Sequence, residues 1–217
     1  MSAPYRHIQV TPIAAALGAH IEGVDLSKPL GDEVKAEIHR AFLDHAVVLF
    51  RGQDLDPASQ MAFTRLFGAV DQHPLYRSNQ IEGFPEILVI EHKEGKFLNG
   101  RNDIWHADVT FAEQPPLGSV LACKHGRAGW GDTLFASLTR AFDALSPGMQ
   151  RLLTPLQGVH SAKVLQDRNN AAKENIPVTE IPPPVEHPVV REHPENGRPT
   201  LFVNCAYTVG IKDMRPE

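Results

Sequence analysis

His106-Ala107-Asp108, within Asp103-Ile104-Trp105-His106-Ala107-Asp108-Val109-Thr110-Phe111, offers an imidazole and a carboxylate two residues apart. On an extended strand, residues i and i+2 point to the same face, so one short piece of backbone would present both groups side by side. Such a pair supplies two of the three protein ligands of the two-histidine, one-carboxylate face that leaves positions open on a non-haem iron(II). Val109, Thr110 and Phe111 favour a strand, and Trp105 adds bulk beside the polar pair. From this window alone, the pair equally fits a partly exposed strand whose His106 and Asp108 hydrogen-bond one another.

Positioning such a pair needs a core. The 217 residues suffice for one sizeable domain, spanning 1–217, and 42% hydrophobic with 22% charged residues is an ordinary soluble globular balance. A formal charge of −5 with no basic stripe excludes broad nucleic-acid binding. No apolar run approaches a membrane span, and Met1 to Gln9 lacks a signal-peptide pattern. Two cysteines, Cys123 and Cys205, without metal-finger spacing predict a reduced, cytoplasmic setting. The 18 Pro and 16 Gly fall between short apolar runs, which predicts many short strands joined by turns.

His7 to Ile13 and Ala19 to Val24 read as two short strands. From Asp32 to His45, Val34, Ile38, Ala41 and Phe42 recur at helical spacing, and Ala46 to Phe50 reads as a buried strand. Asp56-Pro57 opens a second helix to about Phe67, with proline suited to the first turn. Glu86 to Glu91, the metal-candidate segment, Ser119 to Lys124 and Thr133 to Ala136 read as strands, with Gly129-Trp130-Gly131-Asp132 as a turn. Ser137 to Leu153 reads as one helix or two, broken at Ser146-Pro147-Gly148. Residues 161–186 are the least core-like and predict a mobile excursion over the surface. Pro188 to Val190 and Thr200 to Val203 flank Glu195-Asn196-Gly197, a hairpin signal.

Several segments then line up in order: His73-Pro74-Leu75-Tyr76, Asn102 with Trp105 to Phe111, Gly131-Asp132-Thr133-Leu134-Phe135, His187-Pro188-Val189-Val190-Arg191-Glu192-His193-Pro194, and Leu201-Phe202-Val203-Asn204. This set resembles the taurine dioxygenase (TauD/TfdA) group of iron(II)- and 2-oxoglutarate-dependent oxygenases, from about Ile13 to the last residues. The string Trp-His-x-Asp-x-Thr-Phe followed by Gly-Asp-Thr is specific to that group. The resemblance implies a mainly β chain with flanking helices, a double-stranded β-helix or cupin-like jelly roll with the metal inside its mouth.

By the same resemblance His106 and Asp108 ligate Fe(II), and Thr133 hydrogen-bonds 2-oxoglutarate. His73, Tyr76, Asn102, Val109 and Phe202 fall at substrate-pocket positions, where an imidazole and an amide could donate to a small anion. Thr133 could also be a strand threonine, and His73 and Tyr76 loop surface. His125, His160, His187 and His193 have no ligand spacing and read as structural or solvent-exposed. The implied reaction uses O₂ and 2-oxoglutarate to hydroxylate a substrate C–H, giving succinate and CO₂, with residues 161–186 as a lid. Taurine or another alkylsulfonate is the first substrate expected, with release of sulfite; aryloxyacetates, alkyl sulfates, or a catalytically inactive barrel that binds a small molecule or partner are the alternatives. Family habit points to a homodimer or tetramer.

The group's third ligand is a distal histidine, with an arginine beyond it for 2-oxoglutarate. Nothing after Asp108 matches either. The expectation is therefore a chain lacking the C-terminal strands of the barrel.

Overall fold

A computed structural model describes residues 3–76, 79–93, 96–97, 104–127, 129, 131–171 and 180–215. The polypeptide clusters into two units, one of residues 1–70, 120–143 and 193–198, the other of residues 71–119, 144–192 and 199–217.

In the first unit, β1 (Gln9–Pro12) pairs antiparallel with β2 (Ala19–Glu22), which pairs parallel with β3 (Val48–Phe50). Parallel neighbours need a crossover, and α1 (Asp32–His45) provides it. Its apolar stripe buries Ile38 and Ala41 against Ile8, Ile21, Leu26, Leu55 and Phe63. The Glu37 carboxylate on the same helix accepts the backbone N–H groups of Arg6, His7 and Ile8 at 2.7, 2.8 and 3.2 Å, fastening the N-terminal segment. Helix α2 (Pro57–Thr64) starts where Asp56 accepts the Ser59 N–H at 2.7 Å, and proline occupies its first turn. The strand before it is half-buried rather than buried. Helix α3 (Leu138–Asp143) follows later in this unit.

The second unit has small antiparallel sheets. Strand β4 (Gln80–Ile81) pairs with β5 (Phe84–Leu88), and β6 (His92–Lys93) with β7 (Lys96–Phe97). The strand expected over 86–91 thus starts earlier and is half-buried, with Val89 and Ile90 exposed. Helix α4 (Pro147–Leu153) is separated from α3 by the break expected at Ser146, whose hydroxyl caps it. Strand β8 (Gln157–His160) pairs with β9 (Val185–Pro188) and, across a register shift, with β12 (Thr208–Ile211). The predicted hairpin forms between β10 (Val190–Glu192) and β11 (Pro199–Leu201). Leu75, Phe111, Ala162, Ala206 and Tyr207 form the core here.

Three strand expectations fail. His106-Ala107-Asp108 is not on a strand; residues 108–111 form a turn. Ser119 to Lys124 and Thr133 to Ala136 join no ladder among the described residues, and Leu121 and Leu134 are each 70% exposed. β-propensity becomes a strand only where a neighbour takes the backbone hydrogen bonds and covers one face. The 161–186 excursion begins on the core, with Ser161 and Ala162 buried, and continues as α5 (Lys163–Ala171), while residues 172–179 lie outside the described ones. No helix among the described residues is long and apolar enough to cross a membrane.

Candidate metal centre

His106 and Asp108 do meet, on irregular backbone just before a turn over 108–111 and not by strand alternation. Val109 takes φ +54°, a left-handed value that is strained for a β-branched residue, and the Ala112 N–H closes the turn on the Val109 carbonyl at 3.0 Å. His106 Nε2 stands 3.3 Å from Asp108 Oδ1. On the other side of the ring, Nδ1 is 2.8 Å from the Ile104 carbonyl, which can only accept, so Nδ1 carries the proton and donates.

This is the second-sphere arrangement of a metal-binding histidine, whose remote N–H is anchored while the other nitrogen is directed at the site. The 3.3 Å gap is about 0.2–0.3 Å wider than an octahedral edge at metal–ligand lengths of about 2.1–2.2 Å, close enough for a small side-chain rotation to seat both groups on one cation. The residues present therefore fit two positions of a divalent cation. No group of three or more His, Cys, Asp or Glu suited to a metal occurs among the described residues.

Asp108 is held ready as an anion. The His106 ring, donating from Nε2 when both of its nitrogens are protonated, lowers the Asp108 carboxyl below the usual carboxylate value, burial opposes this, and the Ser119 hydroxyl, donating to Oδ2 at 2.7 Å, lowers it further. The His73 Nδ1 accepts the backbone N–H groups of Leu75 and Tyr76, each at 3.2 Å, so the neutral ring keeps its proton on Nε2. Burial pushes the His73 pKa down, with the Asp108 charge in opposition. The Tyr76 ring stacks on His73 at 4.8 Å.

Among the residues expected in the site, the structure thus links His106, Asp108, His73 and Tyr76, and packs Val109 on the core of the second unit. Phe202 lies instead against His160, His187 and the Arg191 guanidinium. Thr133 is exposed, outside any helix or strand, in the first unit. Asn102 lies outside the described residues.

Sequence reading missed Ser119, a short polar residue with no signal of its own. Of the histidines without ligand spacing, His160 and His187 are buried and structural, as one of the two readings held, and His125 is exposed.

An imidazole and a carboxylate thus stand side by side, with a serine hydroxyl on the second carboxylate oxygen. The chain belongs to the Taurine catabolism dioxygenase TauD, TfdA family, whose family model matches residues 9–217. It is 34% identical over 202 residues to an alpha-ketoglutarate-dependent sulfate ester dioxygenase of Pseudomonas putida, covering 89% of this chain and 65% of that protein. To an alpha-ketoglutarate-dependent sulfonate dioxygenase of Saccharomyces cerevisiae it is 32% identical over 223 residues, covering 97% and 52%. A crystal structure of a taurine dioxygenase from Burkholderia xenovorans aligns with TM-score 0.70 and 29% identity, over 97% of this chain and 68% of that one. The chain therefore spans between about half and two thirds of the length of these two curated relatives. The short strands and this likeness bear out a mainly β chain of the jelly-roll kind.

Proposed function

We propose that this chain supplies His106, Asp108 and Thr133 to the Fe(II) and 2-oxoglutarate site of a dioxygenase that hydroxylates a small organic anion, taurine or another alkylsulfonate first. The observation that supports it most is the His106 Nε2 to Asp108 Oδ1 pair, with the far side of the imidazole tied to the Ile104 carbonyl. When bound, Fe(II) with 2-oxoglutarate and O₂ supplies oxidation of a substrate C–H, yielding succinate and CO₂.

The residues of the chain then divide the remaining work. His106 Nε2 and the Asp108 carboxylate hold the metal, and Ser119 keeps Oδ2 from rotating. His73 presents its Nε2–H as a neutral donor for a sulfonate or carboxylate oxygen, because both backbone donors occupy Nδ1. Tyr76 shields one face of that ring. Thr133 supplies a hydroxyl for a 2-oxoglutarate carboxylate; its place in Gly131-Asp132-Thr133 supports this role.

Anaerobic addition of Fe(II) and 2-oxoglutarate is expected to give a weak visible charge-transfer band, and air to give succinate. Absence of both overturns the reading in favour of a binding barrel without chemistry. Relatives named for sulfate esters and for (S)-phenoxypropionate in Delftia acidovorans set the rest of the substrate panel. Release of sulfite from sulfonates alone selects the first substrate class.

A further inference from the structure

We infer that Thr110, held by His160 and Asn204, is a positioning residue that keeps the Val109 turn left-handed and thereby holds the His106–Asp108 pair where Ser119 reaches Asp108 Oδ2. The inference rests on the proposed metal site and deepens it.

A β-branched residue at φ +54° stays there only when its surroundings over-determine it. Thr110, directly after Val109, is 1% exposed, and its hydroxyl faces two fixed groups. Asn204 Nδ2 lies 3.1 Å away and His160 Nδ1 3.0 Å away. The Asn204 amide cannot turn over, because its Oδ1 already accepts the Ala206 and Tyr207 N–H groups at 3.1 and 2.9 Å. Its Nδ2 is therefore the donor to Thr110.

His160 is equally fixed. It is fully buried on β8, with its ring edge-on to His187 at 5.3 Å, and a Cβ at Gly158 would come within 3.2 Å of its Nε2. One hydroxyl thus ties the metal-site turn to a sheet strand and to the loop after β11. The next residue, Phe111, is 1% exposed and packs edge-on against Tyr207 at 5.1 Å, so the same loop grips the turn twice. The Thr110 hydroxyl is turned to His160 and Asn204, two residues from Asp108, and acts on the carboxylate through the backbone.

A buried hydroxyl could serve stability alone, so the test is a double-mutant cycle read by Co(II) binding to the 217-residue chain in calorimetry. Thr110→Val keeps the shape and removes the hydroxyl; Co(II) affinity is expected to fall about tenfold or more, the scale of lost outer-shell support. Thr110→Ser is expected to restore it to within about threefold. Glycine adopts positive φ at no steric cost, so in a Val109→Gly background Thr110→Val is expected to lose most of its effect. Equal loss in both backgrounds, or no loss in either, overturns the inference.

Should Thr110→Val not fold, Asn204→Asp takes its place, since it keeps the acceptor for Ala206 and Tyr207 and removes the donor. If the unmodified chain takes up no Co(II), the proposed function fails. The positioning is then decided by a crystal structure of the variant: Val109 leaving the left-handed region supports it, and Val109 unchanged overturns it.

Discussion

Ser119 Oγ donates to Asp108 Oδ2 at 2.7 Å, which leaves Oδ1 as the oxygen facing His106 Nε2 at 3.3 Å. One carboxylate is thereby divided between a protein donor and a site. Ser119→Ala is expected to weaken Co(II) or Fe(II) binding by about tenfold, the lower end of what outer-shell partners contribute. The melting temperature should stay within a degree or two, because Ser119 is exposed. Calorimetric titration beside a thermal melt checks both halves, and unchanged affinity removes Ser119 from the site.

His73 is expected to act on substrate affinity. His73→Asn can still accept the Leu75 and Tyr76 N–H groups with its own carbonyl but withdraws the Nε2–H donor. Loss of one hydrogen bond to a charged group predicts a KM for alkylsulfonate raised about tenfold. With kcat little changed, the effect is one of binding, and sulfite release against substrate concentration measures it. A fall in kcat at constant KM would place His73 elsewhere in the reaction.

Acid sensitivity should trace to His160. Burial, then the charge of His187, pushes its pKa down from 6.5 to about 4. Between those values the unfolded chain binds a proton that the folded chain refuses, so stability rises with pH through that window. The contribution is full above about pH 6.5, is lost as pH falls towards 4, and amounts to roughly 3 kcal/mol. Urea midpoints at pH 7 and pH 5 should differ less in His160→Gln than in the unaltered chain. Equal differences would assign the acid loss to other groups.

Ile38 is 1% exposed on the inner face of α1. Ile38→Ala removes buried methyl groups and leaves a cavity, with an expected cost of about 2–5 kcal/mol. Urea unfolding measures it, and a cost below about 1 kcal/mol would show that the first unit closes over the gap.

Where local chemistry is strong, the sequence was a good guide to the elements. The Asp32–His45 helix, the Asp56 cap with its proline, the break at Ser146 and the Asn196-Gly197 hairpin turn all form as read. Each depends on residues a few positions apart, whose periodicity or turn preference acts before any tertiary contact exists. The strands expected at 119–124 and 133–136 failed for the opposite reason. A strand needs a partner that may be a hundred residues away, and nothing in Leu121 or Leu134 states which segment that is.

The candidate centre divides in the same way. Residue types alone offered His106 and Asp108 as a pair of ligand-type side chains, and the ordered motifs around them pointed to the family to which the chain belongs. Tertiary structure decided how the pair is held. The two groups meet just before a strained turn at Val109, with Ser119 on one carboxylate oxygen and buried Thr110 and Phe111 anchoring the turn. It also set the protonated nitrogen of His73, through two backbone donors that a linear sequence does not aim. Ligand identity is a property of side-chain chemistry, which the sequence spells out. Ligand direction depends on backbone φ and on hydrogen bonds between residues such as Thr110 and Asn204, 94 positions apart, which only the folded chain brings together.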